Sequence, residues 1–324
     1  MSLRHATALA CSNIALAKYW GKSSLGDNLT AVPSLSLTLA ELRTTTRVRF
    51  DAALESDSVQ LGLEQQQGRP RERVVRLLDA VRALAGIRDH AEVVSSNDFP
   101  TASGLASSAS GFAALALAAQ AAAGLSLPTA EVSRLARRAS ASAARSLYPG
   151  FVELLAEAQS AAPVAGSDWM DVQMVIAATT LGPKATGSTE GMLHTQATSP
   201  YYPGWLAAAP GCFEQAKRAL LERDLEALGT AMEHSTLLMH ASMLAARPGL
   251  FYFLDATLRV LERVRELRKQ GTPAFYTMDA GPHVKVLTDA SNVHRVRSAL
   301  SEVPGVQRVI TSRPGPGAQL LALD

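Results

Sequence analysis

The sequence predicts an α+β fold, and three observations carry that expectation. Strand-like and helix-like periodicities alternate along the chain without a fixed-period repeat or a low-complexity tract. Its 324 residues suggest about two domains, although one large domain with a deep cleft fits equally well. A Gly-, Thr- and Ser-rich stretch at residues 182–191 reads as the crossing into a second half, which puts the expected parts at residues 1–185 and 186–324.

Each element has a local reason. Residues 13–22 (NIALAKYWGK) are apolar enough for a core strand apart from two lysines. Residues 44–50 (TTTRVRF) alternate and are β-branched, the pattern of a strand with one buried face. Residues 73–85 place Val74, Leu77, Leu78, Val81 and Leu84 at helical spacing, and Gly86 ends that helix. Residues 105–123 are small, apolar and uncharged, so a helix there must be buried on all sides. Pro128-Thr129 opens a helix expected to run to Leu147, just before Pro149-Gly150. Residues 172–180 read as a buried strand. In the second half, residues 212–228 and 255–270 are amphipathic helices, the latter stopped by Gly271. Strands at 275–278 and 284–287 are joined by Asp279-Ala280-Gly281-Pro282, and a helix at 292–301 and a strand at 306–311 complete the chain.

Composition narrows the function. Hydrophobic residues at 47% and charged residues at 19% describe a globular chain and exclude a disordered or collagen-like one. A formal charge of +2 is too even for a protein that coats nucleic acid or an anionic membrane, so an anionic ligand needs a local site. Cys11 and Cys212 have no partner at metal-ligand spacing, which points to neither a disulfide framework nor a zinc site and makes a reducing, cytoplasmic compartment the default. The most apolar stretch, residues 112–125, is too short to span a membrane, and Asn13 and Lys18 interrupt the N-terminal apolar run that a signal peptide would need.

Four segments have residue types suited to chemistry. FPTASGLASSASG at 99–111 runs into the buried Ala/Leu helix. Its glycines and serines allow close backbone approach, and the free N–H groups of a helix start favour a phosphate. A small-residue turn that lets the helix pack tightly has the same composition, and no Walker Gly-Lys-Ser/Thr follows. In residues 13–22, Lys18 and Lys22 bracket Tyr19 and Trp20. Strand alternation sends Lys18, Trp20 and Lys22 to one face, though a bend at Gly21 reunites them with Tyr19; the lysines are anion ligands or guards on an edge strand. In a helix through residues 139–148, Arg138, Ser142 and Arg145 share one face of small neighbours, which suits a guanidinium that binds carboxylate or phosphate and equally suits a solvated face. Asp279, after an apolar strand and beside Gly-Pro, is placed as a general base or charge stabiliser, or as a turn-forming Asp. His234 and His240 lie six apart, on different sides of a helix, and read as ordinary surface or core residues.

Taken together and in order, NIALAKYWGK (13–22), PSLSLTL (33–39), NDFPTASGLASSASG (97–111), SASAARSLYPGF (140–151), STEGM (188–192) and MDAGP (278–282) resemble the mevalonate diphosphate decarboxylase family of the GHMP kinase superfamily over nearly the whole chain. The resemblance implies a GHMP-kinase-like two-part fold. Its N-terminal half would be ribosomal-protein-S5-domain-2-like with a left-handed βαβ unit, its C-terminal half ferredoxin-like, and the active site would lie in the cleft between them. It implies ATP-dependent decarboxylation of mevalonate 5-diphosphate to isopentenyl diphosphate, with magnesium accompanying ATP, and a homodimer. Residue by residue, it assigns catalysis to Asp279, Arg145 and Lys18, and substrate binding to Tyr19, Lys22, Ser140, Ser142 and Arg145. Nucleotide contacts fall on Ser95, Asn97, Gly104, Ser107, Ser108, Ala109 and Ser188, with Ser108 nearest the transferring phosphate or its metal. Two departures stand out: Ala139 and Ala141 replace glycines usual in the family, and Asn97-Asp98 replaces Asn-Asn. They leave mevalonate 5-phosphate open as the substrate. A kinase without decarboxylation and a non-catalytic nucleotide-binding regulator stay open as well.

Overall fold

A computed structural model describes residues 4–99, 107–180 and 186–322. In chain order the elements are β1 (Arg4–Ala17), β2 (Ser34–Asp51), β3 (Ser58–Leu61), β4 (Glu64–Gln65), α1 (Gly68–Ala85), β5 (His90–Asn97), α2 (Ser107–Ala122), α3 (Thr129–Ala139), a 3-10 segment (Ala141–Leu147), β6 (Phe151–Leu154), β7 (Ala162–Ala165), β8 (Val172–Ala178), α4 (Ser188–Thr198), α5 (Tyr202–Leu221), α6 (Leu225–Leu244), α7 (Asp255–Lys269), β9 (Phe275–Thr277), β10 (Val284–Asp289), α8 (Val293–Ser301), β11 (Arg308–Ser312) and β12 (Gln319–Leu320). The fold is mixed α+β with two sheets, as expected.

The first sheet runs β12-β1-β2-β5-β3-β4, with β6 paired to β2 and β7 to β6. Its β3 and β5 are parallel and are joined through α1. The second sheet runs β11-β8-β10-β9 and is antiparallel throughout. β8 precedes the expected crossing yet belongs to the second sheet, while β12 returns to pair with β1. Residues 181–185, where the boundary was expected, lie outside the described residues.

Burial explains this layering. The first seven residues of β2 are buried on both faces, after which inside and outside alternate, so the strand runs from a two-sided interior into a sheet with one wet face. One core lies between the first sheet and α1, α2 and α3. A second core joins the two halves: Ile14, Leu16, Leu35 and Leu37 pack with Met174, Ile176, Phe213, Met232, Phe275 and Leu287. A third, behind the second sheet, contains Val175, Ala177, Val260 and Val264. Met174 and Ile176 thus serve one core and Val175 and Ala177 another, the two-residue period of a strand covered on both sides.

Several sequence expectations need correction. The TTTRVRF strand is the far part of the much longer β2. Leu84 is about half exposed, although Leu77, Leu78 and Val81 of the same helix are buried. The helix expected from Thr129 to Leu147 breaks at Ser140, whose backbone is extended (φ −152°, ψ 117°), and continues only as the 3-10 segment. The helix expected at 212–228 is two helices. Arg223 is left-handed at φ 57°, and the Asp224 side chain accepts the Ala227 N–H at 2.9 Å to cap α6. β1 stops at Ala17, so Lys18 to Lys22 lie beyond the strand. Gly86, at φ 66°, ends α1 as expected. Both cysteines are free and buried, and no helix among the described residues is long and apolar enough to cross a membrane.

Candidate active site

The turn between β9 and β10 fixes Asp279. The Gly281 N–H donates back to the Asp279 carbonyl at 2.8 Å, and the Pro282 carbonyl accepts the hydroxyls of Thr179 (3.0 Å) and Thr257 (2.8 Å). Two ammonium groups grip the carboxylate. Lys18 Nζ donates to Oδ1 at 2.6 Å and Lys285 Nζ to Oδ2 at 3.0 Å, and both lysines are buried while about a third of the aspartate side chain stays open. Burial alone would raise the Asp279 pKa, but the two lysines outweigh it and hold the carboxyl well below the usual carboxylate range. Burial pushes Lys18 down to about 8 against the pull of Asp279, with Lys285 and Arg145 adding repulsion. The Lys18 backbone N–H is anchored to Ser235 Oγ on α6 at 2.9 Å.

Arg145 enters from the 3-10 segment and is buried. Its Nε donates to Ser36 Oγ (3.0 Å) and Asn13 Oδ1 (3.3 Å), and its Nη1 to Ser34 Oγ (2.8 Å). All three partners are neutral. Burial brings Arg145 down to about 10, opposed by Tyr19 and Asp279. The helical face expected to unite Arg138, Ser142 and Arg145 does not exist, because the Ser140 break turns Arg145 inward while Arg138 stays half exposed and pairs with Asp27 at 2.8 Å.

Tyr19 and Lys22 meet through the bend at Gly21. Its φ of +117° suits glycine, and an added Cβ would lie 2.0 Å from the Tyr202 hydroxyl oxygen. Lys22 Nζ donates to the Tyr19 hydroxyl at 2.7 Å and to Asn28 Oδ1. Gln196 of α4 clamps the Lys22 backbone, accepting its N–H at 2.9 Å and donating to its carbonyl at 3.0 Å. Burial, then the nearby Arg73 and Arg137, bring Lys22 down to about 8. Arg73 donates to the Ala139 carbonyl at 2.8 Å and stacks 4.5 Å from the Phe112 ring centroid. Ser140 and Ser142 hydroxyls stand 3.3 Å apart at the break itself. Mutual electrostatic influence puts these groups in order as a line: Asp279 with Lys18 and Lys285, then Arg145, then the neutral Tyr19, then Lys22 and Arg73.

On the α2 side, Ser107 and Ala109 lie in the first turn, with Ala109 buried and Ser108 exposed. Gly104 lies outside the described residues. Ser95 Oγ shares a 2.8 Å bond with Thr46, and Asn97 Oδ1 accepts the Thr44 hydroxyl at 2.6 Å, which also meets Ser110. These hydroxyls connect β5 to the first turn of α2. Ser188 opens α4, apart from the α2 group in sequence.

The residue patterns did not single out Lys285, Arg73, Gln196 or His240. Lys285 had the same signal as Lys18, a lysine inside an apolar strand. The SLSL alternation signalled that Ser34 and Ser36 share a face. Nothing local marked Arg73, on an ordinary amphipathic helix. His234 is exposed and His240 buried, as their spacing suggested, but spacing could not show that His240 sits among the site charges.

Residues 10–165 match the description diphosphomevalonate decarboxylase-like N-terminal domain, and residues 174–318 match the mevalonate 5-diphosphate decarboxylase C-terminal domain. A diphosphomevalonate decarboxylase of Candida albicans is 33% identical over 97% of this chain and 97% of its own. The chain belongs to the mevalonate diphosphate decarboxylase family. A phosphomevalonate decarboxylase of Haloferax volcanii is 31% identical, also over 97% of both chains. Among solved structures, the mevalonate diphosphate decarboxylase of Enterococcus faecalis, described as showing ATP binding mediated by mevalonate diphosphate, has a TM-score of 0.91 at 36% identity and covers 99% of this chain and 100% of its own. Another decarboxylase structure, described as a complex with MVAPP, AMPPCP and magnesium, has a TM-score of 0.92 at 36% identity, with coverage of 99% and 100%. Family membership accounts for the two-sheet architecture, and the line of charges lies where its two halves meet.

Proposed function

We propose that this chain decarboxylates mevalonate 5-diphosphate, using ATP, to isopentenyl diphosphate, ADP, phosphate and carbon dioxide. One observation carries the reading: Asp279 is matched by two lysines, whereas among the described residues the partners of Lys22, Arg73 and Arg145 are neutral oxygens. Arg145 is buried and Lys22 and Arg73 are partly buried, and cations so withdrawn from water with neutral partners call for an anion from outside. A substrate with a hydroxyl and carboxylate at one end and a diphosphate at the other fits the order of the charges.

In this reading Asp279 aligns the tertiary hydroxyl and accepts its proton as the oxygen bonds to the γ-phosphorus and ADP leaves. A carboxylate held by two ammonium groups is a weak base, so proton transfer comes late, as a loose phosphoryl-transfer transition state allows. Lys18 stabilises the transferred phosphoryl group. Phosphate then departs with the C–O electron pair and takes the proton from Asp279, whose carboxylate faces the developing cation. Arg145 holds the substrate carboxylate, whose C–C pair becomes the new double bond as carbon dioxide leaves. Tyr19, Lys22, Ser140 and Ser142, joined by Arg73, bind the diphosphate. Ser95, Asn97, Gly104, Ser107, Ser108, Ala109 and Ser188 receive the nucleotide.

No cluster of three His, Cys, Asp or Glu that could hold a metal occurs among the described residues. The exposed Ser108 hydroxyl at the α2 start fits a magnesium ion that keeps mostly phosphate and water oxygens. Magnesium would neutralise phosphate charge. The homodimer and the cytoplasmic location belong to the same proposal; the homodimer rests on the resemblance, and the location on two cysteines with neither a disulfide nor a metal pattern.

Ala139 and Ala141 put methyl groups where the family usually has glycines, beside Ser140, and the Haloferax volcanii relative is a phosphomevalonate decarboxylase, so mevalonate 5-phosphate is the second reading. Arg73 favours the diphosphate by adding a cation at that end. Turnover on mevalonate, its 5-phosphate and its 5-diphosphate, each with ATP and magnesium, separates the readings. Equal amounts of carbon dioxide and ADP should form fastest from the 5-diphosphate. ADP with a stable 3-phosphate and no carbon dioxide would make the chain a kinase.

A further inference from the structure

Lys285 lies inside β10, in the run Val284-Lys285-Val286-Leu287, where its neighbours are fully buried. Its side chain is itself fully buried, and its ammonium reaches the Asp279 oxygen that Lys18 does not, at 3.0 Å. Taking an ammonium out of water is costly unless it is paired, and a buried lysine at a position that the rest of the strand fills with apolar residues needs a reason. Backbone pairing makes its position exact: Lys285 is opposite Ile176 on β8 and opposite Thr277 on β9, two residues before Asp279.

The geometry points to Lys285 as a positioning residue that pins the second oxygen of Asp279, so that the carboxylate stays ionised and presents one fixed edge to the substrate hydroxyl. This rests on the reading of Asp279 given above. If Lys18 alone held Oδ1, the carboxylate could still swing about its Cβ–Cγ bond. With both oxygens held, the open third of the side chain has a single orientation. The same ammonium repels Lys18. That leaves Lys18 readier to pass its hydrogen bonds to an incoming phosphoryl group.

Among the described residues, four charged or titratable groups interact with the Asp279 carboxylate, and buried His283 lies in the same turn. Lys18 follows β1, Lys285 is on β10, Arg145 is on the 3-10 segment, and His240 comes from α6. Burial keeps His240 neutral down to about pH 4, so it adds no cation near neutrality. Lys285 therefore provides charge that Lys18 does not duplicate.

The test compares wild type with Lys285→Met, Lys285→Gln and Lys285→Arg in the full chain. Gln removes the charge but keeps a donor, should Met prevent folding. The Asp279 carboxyl is followed by 13C NMR of aspartate-labelled protein, assigned with Asp279→Asn, and carbon dioxide release is measured across pH. In the uncharged variants the carboxyl midpoint and the acidic limb of kcat should both rise by about one pH unit or more. Turnover should fall at least ~10-fold with KM for ATP little changed, and Lys285→Arg should restore both midpoints. An unmoved carboxyl midpoint in the uncharged variants, or an acidic limb that ignores a midpoint that has moved, overturns the assignment. If wild type releases no carbon dioxide, the functional reading fails by itself, and the NMR comparison still decides what Lys285 does.

Discussion

At Lys22, burial and the neighbouring Arg73 disfavour the charged form and bring its pKa to about 8. The ammonium is thus present below about pH 8 and lost above it, the opposite of an exposed lysine, which would keep its charge for two more units. Since kcat/KM reports the free enzyme, it should fall as pH rises through 8 and the substrate's diphosphate loses a cation. Lys18 also sits near 8, so the variant Lys22→Arg separates the two. Arginine remains charged, and if Lys22 sets the limb, kcat/KM should hold to a higher pH in that variant while staying within roughly tenfold of wild type at pH 7. An alkaline limb that does not move would assign it to Lys18. The residue types themselves were legible in the sequence, because a lysine in an apolar run and an aspartate before Gly-Pro stand out. Their pairing was not. Lys18 and Asp279 lie 261 positions apart, and no local pattern reports which ammonium meets which carboxylate oxygen.

Elements were legible where one local signal decided them and misread where two competed. Gly86 ends α1, and the uncharged Ala/Leu run forms α2, because nothing opposes those signals. The helix expected through Leu147 fails because Ser140 goes extended, which costs one helical face and turns Arg145 toward Ser34, Ser36 and Asn13. Arg223 and Asp224 similarly split one expected helix into α5 and α6, and α6 then supplies Ser235 to hold Lys18. The bend after β1 is the strictest of these junctions. Gly21 has a backbone that L side chains rarely adopt, and a Cβ there would overlap the Tyr202 hydroxyl. Gly21→Ala should therefore destabilise the protein by about 1–3 kcal/mol, measured by denaturant unfolding. It should also raise KM for the substrate more than KM for ATP, because Tyr19 and Lys22 are brought together by that bend. A variant with native stability and unchanged kinetics would show that the bend does not set the site.

The whole molecule is held together by the core its two sheets share. Ile14, Leu35 and Leu37 of the first sheet pack with Met174, Phe275 and Leu287 of the second, so neither sheet keeps a dry face without the other. α6 crosses this junction, and its His240 is buried edge-on against Phe253, with ring centroids 4.9 Å apart, beneath the turn that carries Asp279. Burial, with Lys18 adding repulsion, takes His240 from 6.5 to about 4. Between those pH values the unfolded chain binds a proton there that the folded chain does not, so stability falls as pH drops from about 6.5 to 4, by about 3 kcal/mol in all. Asp279 acts in a separate window. Its folded pKa lies below the unfolded one, so its contribution is full above the ordinary carboxylate range and disappears only at more acid pH. Comparing wild type with His240→Gln by urea unfolding between pH 7 and pH 4.5 isolates the histidine, because Glu233, whose pKa burial raises, acts with the opposite sign in both proteins. The variant should lose most of the histidine's slope, whatever it costs at pH 7. A slope that persists in the variant would mean that the acid sensitivity of the junction arises elsewhere. Near-neutral net charge offered no view of this, since the +2 total is a sum over the whole sequence and hides the local grouping of Lys18, Lys285 and Arg145 around Asp279.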